Sequence, residues 1–393
     1  MSSKKQFINI IRWSTIIDSF ANNYFLRSIV LFLLANNVTP WIAVSIPIVL
    51  EFARMISRGF KFIFKIALNI DYKKFHIFYL FTFLIMCFLL TKCESVYTIY
   101  PLVIIMGFIS GTNESCKTAI NTSNEEYESY CFIEEERANV IGVTLGLIVG
   151  QFIYDFNKTA YILGYFVILI IGIVISLFIK NIKISDYSKF EINTEKNLSS
   201  KEKRQTFLVG SLFGIFGGLW CMSWGALDEL GPLISNKIGY LNAVYSSIEI
   251  IILFIISGNL IKKIKSKKKL LLTITIVAII DVFSFLIASI TLSWKGLLIA
   301  YIITAFTCSI GNPLWGSLIS EYSAGNRKKY IVVNRVYFII KGIFTILTWA
   351  ICRECVINGI ETFKYLGIVL AVLIIAVNLL ANKVNKKVFD SSI

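Results

Sequence analysis

Twelve stretches of about 20 mostly apolar residues, separated by short polar gaps, limit what this chain can become more than any other feature. They lie near residues 7–34, 41–64, 75–91, 97–121, 137–155 and 159–179, then 206–230, 240–261, 270–292, 296–320, 330–351 and 360–381. In lipid a backbone must satisfy its own hydrogen bonds, and runs of this length do so as helices. The 393 residues are 56% hydrophobic and only 16% charged, whereas a soluble domain carries roughly 25% charged residues. The predicted fold is an all-α integral membrane protein of twelve transmembrane helices.

Between spans six and seven lies the most polar stretch, Asn181 to Arg204, with Lys183, Lys189, Lys196, Lys201, Lys203 and Arg204 among Ser, Asn and Glu. It divides the chain into an N-terminal six-helix bundle (1–180), a solvated linker (181–205) and a C-terminal six-helix bundle (206–393). Lys and Arg concentrate in alternate gaps. Lys4, Lys5, Lys65, Lys73, Lys74, the linker, the run from Lys262 to Lys269, Arg327 to Lys329 and the tail Lys383, Lys386 and Lys387 fall on one side. The opposite side has Lys92, Lys158, Lys237, Lys295, Arg353 and Lys364. The positive-inside rule places the basic side, both termini and the linker in the cytoplasm, and the acidic gap Glu125 to Glu136 carries little weight in it. The net charge of +15 is therefore a topology signal, and no nucleic-acid partner is expected. No cleavable leader is expected either, since the first apolar run continues too far.

The two halves echo each other. Gly258-Asn259-Leu260-Ile261-Lys262-Lys263 follows span eight, and Asn69-Ile70-Asp71-Tyr72-Lys73-Lys74 follows span two. Both gaps resemble the signature of the major facilitator superfamily, a glycine, an acid and paired bases between helices two and three of a half. The second copy keeps Gly258 and the bases with Lys262 in place of the acid; the first keeps Asp71, Lys73 and Lys74 without the glycine. Ser110 to Ser115 and Asp228 to Leu233 are similar to stretches in bacterial members. The resemblance covers essentially the whole chain. It implies two pseudo-symmetric bundles that rock about a midplane site, with the two gaps as cytoplasmic gating loops.

Charges within the spans are the informative residues, because each costs about 2.5–3.5 kcal/mol at mid-bilayer. Glu51, Arg54, Arg58, Lys61 and Lys65 recur at steps of three and four on span two, so they share one face. That face meets water or protein, either as a salt-bridge ladder or as a substrate surface. Asp18 and Asn22 lie one turn apart on span one. The resemblance implies proton coupling for an acid there; the alternative is a permanent ion pair with a base of span two or eleven. Glu114 and Lys117 stand at i,i+3 on span four, either as an intrahelical pair or as groups that handle proton or substrate. Asp228 and Glu229 end span seven, Glu249 lies on span eight, and Arg335 and Lys341 on span eleven. Spans three, six and twelve carry no ionisable residue in their interiors, and span nine only Asp281. The resemblance implies that every third helix faces lipid.

Trp220, Trp224 and Asp228 recur every fourth residue on span seven, and Tyr245 with Glu249 repeats the theme on span eight. Such stripes hold an organic cation through its attraction to aromatic faces, or else are packing and interfacial belting. Asn312-Pro313-Leu314-Trp315 places a kink beside polar groups in span ten. Gly142-x-x-x-Gly146-x-x-x-Gly150 on span five lets another helix approach closely, and Gln151 follows it. The superfamily's drug–proton antiporters carry Gly-Pro at this place, so Gly150-Gln151 departs from them.

The function these residues imply is secondary active transport of a small organic or amphipathic solute, proton-coupled and outward. The alternatives are uptake of a nutrient or peptide-like solute, and a non-transporting membrane sensor. No nucleotide-binding loop is present. The single His76, placed at a cytoplasmic helix start, and eight scattered cysteines suit neither a metal site nor an enzyme. No cofactor is expected. Cys352 and Cys355 would share a helix face, with their pairing left open. The expected setting is a bacterial cell membrane, the expected partners a small-molecule substrate, the lipid bilayer and a proton, and the expected state a monomer.

Overall fold

The computed structural model describes residues 2–35, 38, 40–59, 70–93, 95–121, 128–156, 158–179, 181, 198–234, 238–257, 267–323 and 327–389. Its α-helices number twelve among these residues. They are α1 (Ser2–Ala35), α2 (Pro40–Gly59), α3 (Tyr72–Leu90), α4 (Val96–Asn121), α5 (Glu128–Phe156) and α6 (Lys158–Phe178), followed by α7 (Ser200–Ile234), α8 (Ile238–Ile252), α9 (Lys267–Thr291), α10 (Trp294–Ser323), α11 (Arg327–Ile357) and α12 (Phe363–Phe389). A π turn, Leu253–Ser257, continues α8, and a 3₁₀ turn, Ile360–Thr362, leads into α12.

Two helices, α5 and α7, begin furthest ahead of the apolar pattern. The Glu-rich stretch before span five is not a gap: α5 starts at Glu128. Acids are favourable at a helix N-terminus, and Glu134 is further held by Arg12 at 2.7 Å and Arg137 at 2.8 Å. Burial alone would raise the Glu134 carboxyl, which precedes the apolar span, but those two guanidiniums hold it below the usual glutamate range. The end of the linker likewise belongs to α7. Ser199 accepts from the Glu202 amide at 3.2 Å, and the Glu202 carboxylate accepts from the Ser199 amide at 3.0 Å, a reciprocal cap that starts the helix.

The chain divides into two compact units, Met1–Glu191 and Ile192–Ile393. Within the first, α1 packs on α5, α2 on α4 and α3 on α6. Within the second, α7 packs on α11, α8 on α10 and α9 on α12. The order of pairing is the same: first with fifth, second with fourth, third with sixth. Glycines set the closest seams. A side-chain carbon on Gly142 would fall 2.5 Å from the Ile16 carbonyl of α1, and one on Gly146 2.9 Å from that of Phe20. Gly107 and Gly111 bring α4 equally close to the α2 backbone, and Gly214 and Gly218 leave room for Ile340 and Phe344 of α11.

The third and sixth helices of each unit expose apolar stripes at helical spacing. On α3 these are Phe78, Phe81, Ile85 and Phe88; on α6, Leu163, Val167, Ile170, Val174 and Leu177. On α9 they are Leu272, Ile276, Ile280, Phe283, Ile287 and Ile290, and on α12 Tyr365, Ile368, Val372 and Leu379. A water-soluble monomer rarely exposes apolar surface on this scale; lipid tails cover it without cost. Six helices are long and apolar enough to cross a membrane among the described residues: α3, α7, α9, α10, α11 and α12. The charge-bearing α1, α2 and α4 fall outside that set. The molecule is a multi-pass membrane protein.

Candidate functional site

The first unit encloses a connected network of charges. Asp18 is only 2% exposed at the centre of α1. Its Oδ2 accepts from Lys117 Nζ at 2.6 Å and from Asn113 Nδ2 at 2.6 Å, both on α4. Its Oδ1 lies 2.8 Å from His76 Nε2 on α3. The Asp18 partners are thus on spans three and four, not on span two or eleven. Lys117 also reaches Glu114 at 3.4 Å, and Glu114 lies 3.8 Å from Arg58 of α2. Arg54 pairs with Glu51 at 2.5 Å. Ion pairing therefore continues from α1 through α4 to α2. Asn121 adds a hydrogen bond to Glu135 of α5. Burying an ion is tolerable only when partners of this quality surround it.

His76 corrects one expectation: α3 does not withhold ionisable groups from its buried face. Tyr72, His76, Tyr79, Phe83, Cys87 and Leu90 form that face at helical spacing. The His76 ring is buried between Asp18 and Ser176 of α6, whose Oγ lies 2.9 Å from Nδ1. Asn22 sits beside the same face, its Nδ2 3.5 Å from the Tyr79 hydroxyl, with its Oδ1 unsatisfied.

The second unit gathers aromatics. Trp220 is buried rather than aligned with the exposed Trp224. Its ring lies 6.3 Å from that of Trp315 on α10, which in turn is 5.5 Å from Tyr337 on α11. Phe213 and Phe216 close the group from α7 at 6.0 and 5.8 Å. Lys341 Nζ lies 5.8 Å from the Tyr337 ring centre. The Trp220 indole faces the Asp281 carboxyl of α9, whereas the Trp315 indole N–H is buried without an acceptor. That is unusual for buried tryptophan, whose N–H normally finds a partner. The Tyr245 hydroxyl donates to buried Glu249 at 3.4 Å. Glu229 is partly buried, while Asn312 and Arg335 stand at the surface of their own unit.

Asp71 precedes α3 and pairs with Lys74 at 3.1 Å, and Lys73 donates to the Leu177 carbonyl at the end of α6 at 2.5 Å. The first gap thereby ties α3 to α6. Gly258, Lys262, Lys263, Lys61 and Lys65 lie outside the described residues, as do the side chains of Gly150, Gln151 and Asp228. Cys352 and Cys355 are both free thiols. Asp281, the one acid of span nine, is caged by hydroxyls of α7 and α10.

No protein-family model matches the sequence, and no curated protein matches it. The fold does match a solved structure, the crystal structure of the human organic anion transporter MFSD10 (TETRAN). The match has a TM-score of 0.63 and 11% sequence identity, and covers 94% of this chain and 99% of that one. At that identity the similarity speaks for the fold alone, and it spans nearly the whole of both chains. With twelve helices and a likeness that runs over nearly the whole of both chains, this chain shares the fold of that solved transporter.

Proposed function

We propose that this protein is a secondary active transporter that moves a small organic or amphipathic solute by alternating access, driven outward across a cell membrane by protons. The observation that carries the reading is the aromatic group of the second unit. Trp220, Trp315 and Tyr337 with Lys341 form an apolar, cationic patch in which the buried Trp315 indole donor lacks an acceptor. A solute with an apolar body and an oxygen acceptor supplies what is missing, and the few convergent polar groups fix its orientation. The similar solved protein is an organic anion transporter, which agrees with an acceptor-bearing solute here. The positive-inside rule orients both termini and the linker to the cytoplasm, and the repeated pairing order within each unit supports pseudo-symmetric halves.

The test is binding in detergent or nanodiscs, followed by tryptophan fluorescence over a panel of anionic, zwitterionic and cationic amphipathic compounds. A saturable response that Trp315→Phe weakens roughly tenfold, as losing about 1.4 kcal/mol of hydrogen bonding would do, supports the site. A response unchanged by Trp315→Phe and Lys341→Met places binding elsewhere and contradicts it.

A further inference from the structure

Two buried aspartates of this protein are built in opposite ways. All of Asp18's described partners are strong donors, and one is the permanent cation Lys117. Asp281 of α9 is as deeply buried, 1% exposed, yet no Lys, Arg or His among the described residues pairs with it. Its Oδ1 meets the Thr307 hydroxyl of α10 at 2.8 Å and its Oδ2 the Ser223 hydroxyl of α7 at 3.1 Å, with the Thr304 hydroxyl and the Trp220 indole also facing the carboxyl. A buried carboxyl without a base is rare.

The Ser223 and Thr307 hydroxyls each have one hydrogen and two acceptors in reach. Ser223 Oγ also lies 2.7 Å from the Trp220 carbonyl, and Thr307 Oγ1 3.0 Å from the Thr304 carbonyl. With Asp281 ionised, both hydroxyls turn toward the carboxylate and donate. With Asp281 protonated, its own O–H donates to one hydroxyl, which turns its hydrogen back onto its helix carbonyl. Both states keep the carboxyl hydrogen-bonded, and passing between them rotates only O–H bonds. A hydroxyl is the side chain that can do this, being donor and acceptor at once.

We propose that Asp281 is a proton-binding site of the second unit, and, resting on the transport reading above, the carboxyl through which protons drive it. The step is a simple protonation. One H⁺ bonds to Oδ1 or Oδ2, the carboxylate becomes a neutral acid, and no other covalent bond forms or breaks. The other titratable groups around it are Tyr245 and Glu249 of α8 and Cys308 of α10, with Cys221 next along α7. From α12 the buried residues are apolar, among them Leu366, Leu370 and Ile374. Ser284, one turn along α9, bonds Thr304 at 2.9 Å and holds the α9–α10 seam beside the carboxyl.

Infrared difference spectroscopy of the purified protein in nanodiscs, recorded between alkaline and acid buffer, reads the site without any solute. The expected result is a protonated-carboxyl C=O band that appears on acidification, vanishes in Asp281→Asn, survives in Asp18→Asn and changes frequency in Thr307→Val. Asp281→Glu, which keeps the acid, retains a shifted band and serves if Asp281→Asn does not fold. A band unaltered by both Asp281 variants and by Thr307→Val, or no band at all, overturns the proposal. A band of the expected kind in a protein that moves no proton with any solute supports the site and contradicts the transport reading alone.

Discussion

At the scale of single residues, the two aspartates make opposite predictions. Lys117→Met leaves Asp18 buried without its lysine, beside Asn113 and His76. Breaking one partner of a buried pair typically costs about 3–5 kcal/mol. Asp18→Asn together with Lys117→Met removes both charges and is expected to recover a large part of that loss. Asp281→Asn strands no base, so its cost should stay within about 1.5 kcal/mol, the range of a neutral hydrogen bond. Thermal unfolding of the three variants in one detergent checks this. Equal destabilisation by Lys117→Met and Asp281→Asn would contradict the difference drawn here. The sequence could not show these environments. Asp18 and Asn22 stand out as polar residues in an apolar span, but the Asp18 partners lie at His76, Asn113 and Lys117 on other helices. Only the packing of α1 against α3 and α4 brings them together.

At the scale of helices, glycine seams decide how closely the bundle closes. Gly142→Leu forces a side chain into the α1 backbone at Ile16 and Ser19, and Gly214→Leu does the same against Ile340 of α11. Overpacking of this kind costs about 1–3 kcal/mol or more, and each variant should lose monodispersity on size exclusion. A monodisperse Gly142→Leu protein of unchanged melting temperature would contradict the seam. The glycine spacing on span five is visible in the chain itself. The same spacing at Gly107 and Gly111, and at Gly210, Gly214 and Gly218, was equally open to inspection and passes unnoticed among so many apolar residues. Helix starts were less legible. Glu128 to Glu136 looks like a solvated gap until Arg12, more than a hundred residues earlier, is seen to pair with Glu134. The twelve apolar runs needed no such partner, because length and hydropathy are local properties.

At the scale of the whole molecule, the outward stripes of α3, α6, α9 and α12 mark lipid-facing surface within each unit. Phe81→Arg on α3 puts a cation on such a stripe, at an expected cost of about 2.5–3.5 kcal/mol if it lies near mid-bilayer. Reduced membrane-inserted yield, set beside the harmless Phe81→Leu, checks it; equal yields would contradict a lipid-facing α3. A proton crossing 100 mV supplies about 2.3 kcal/mol, enough for roughly fifty-fold solute accumulation, so coupling through one carboxyl suffices to drive export. The most direct test of the account follows a pH-gradient dye in everted vesicles while amphipathic compounds are added. The account predicts compound-dependent collapse of the gradient with the wild type and none with Asp281→Asn, both proteins being folded and present in equal amount. No collapse with the wild type across anionic, zwitterionic and cationic compounds would contradict it.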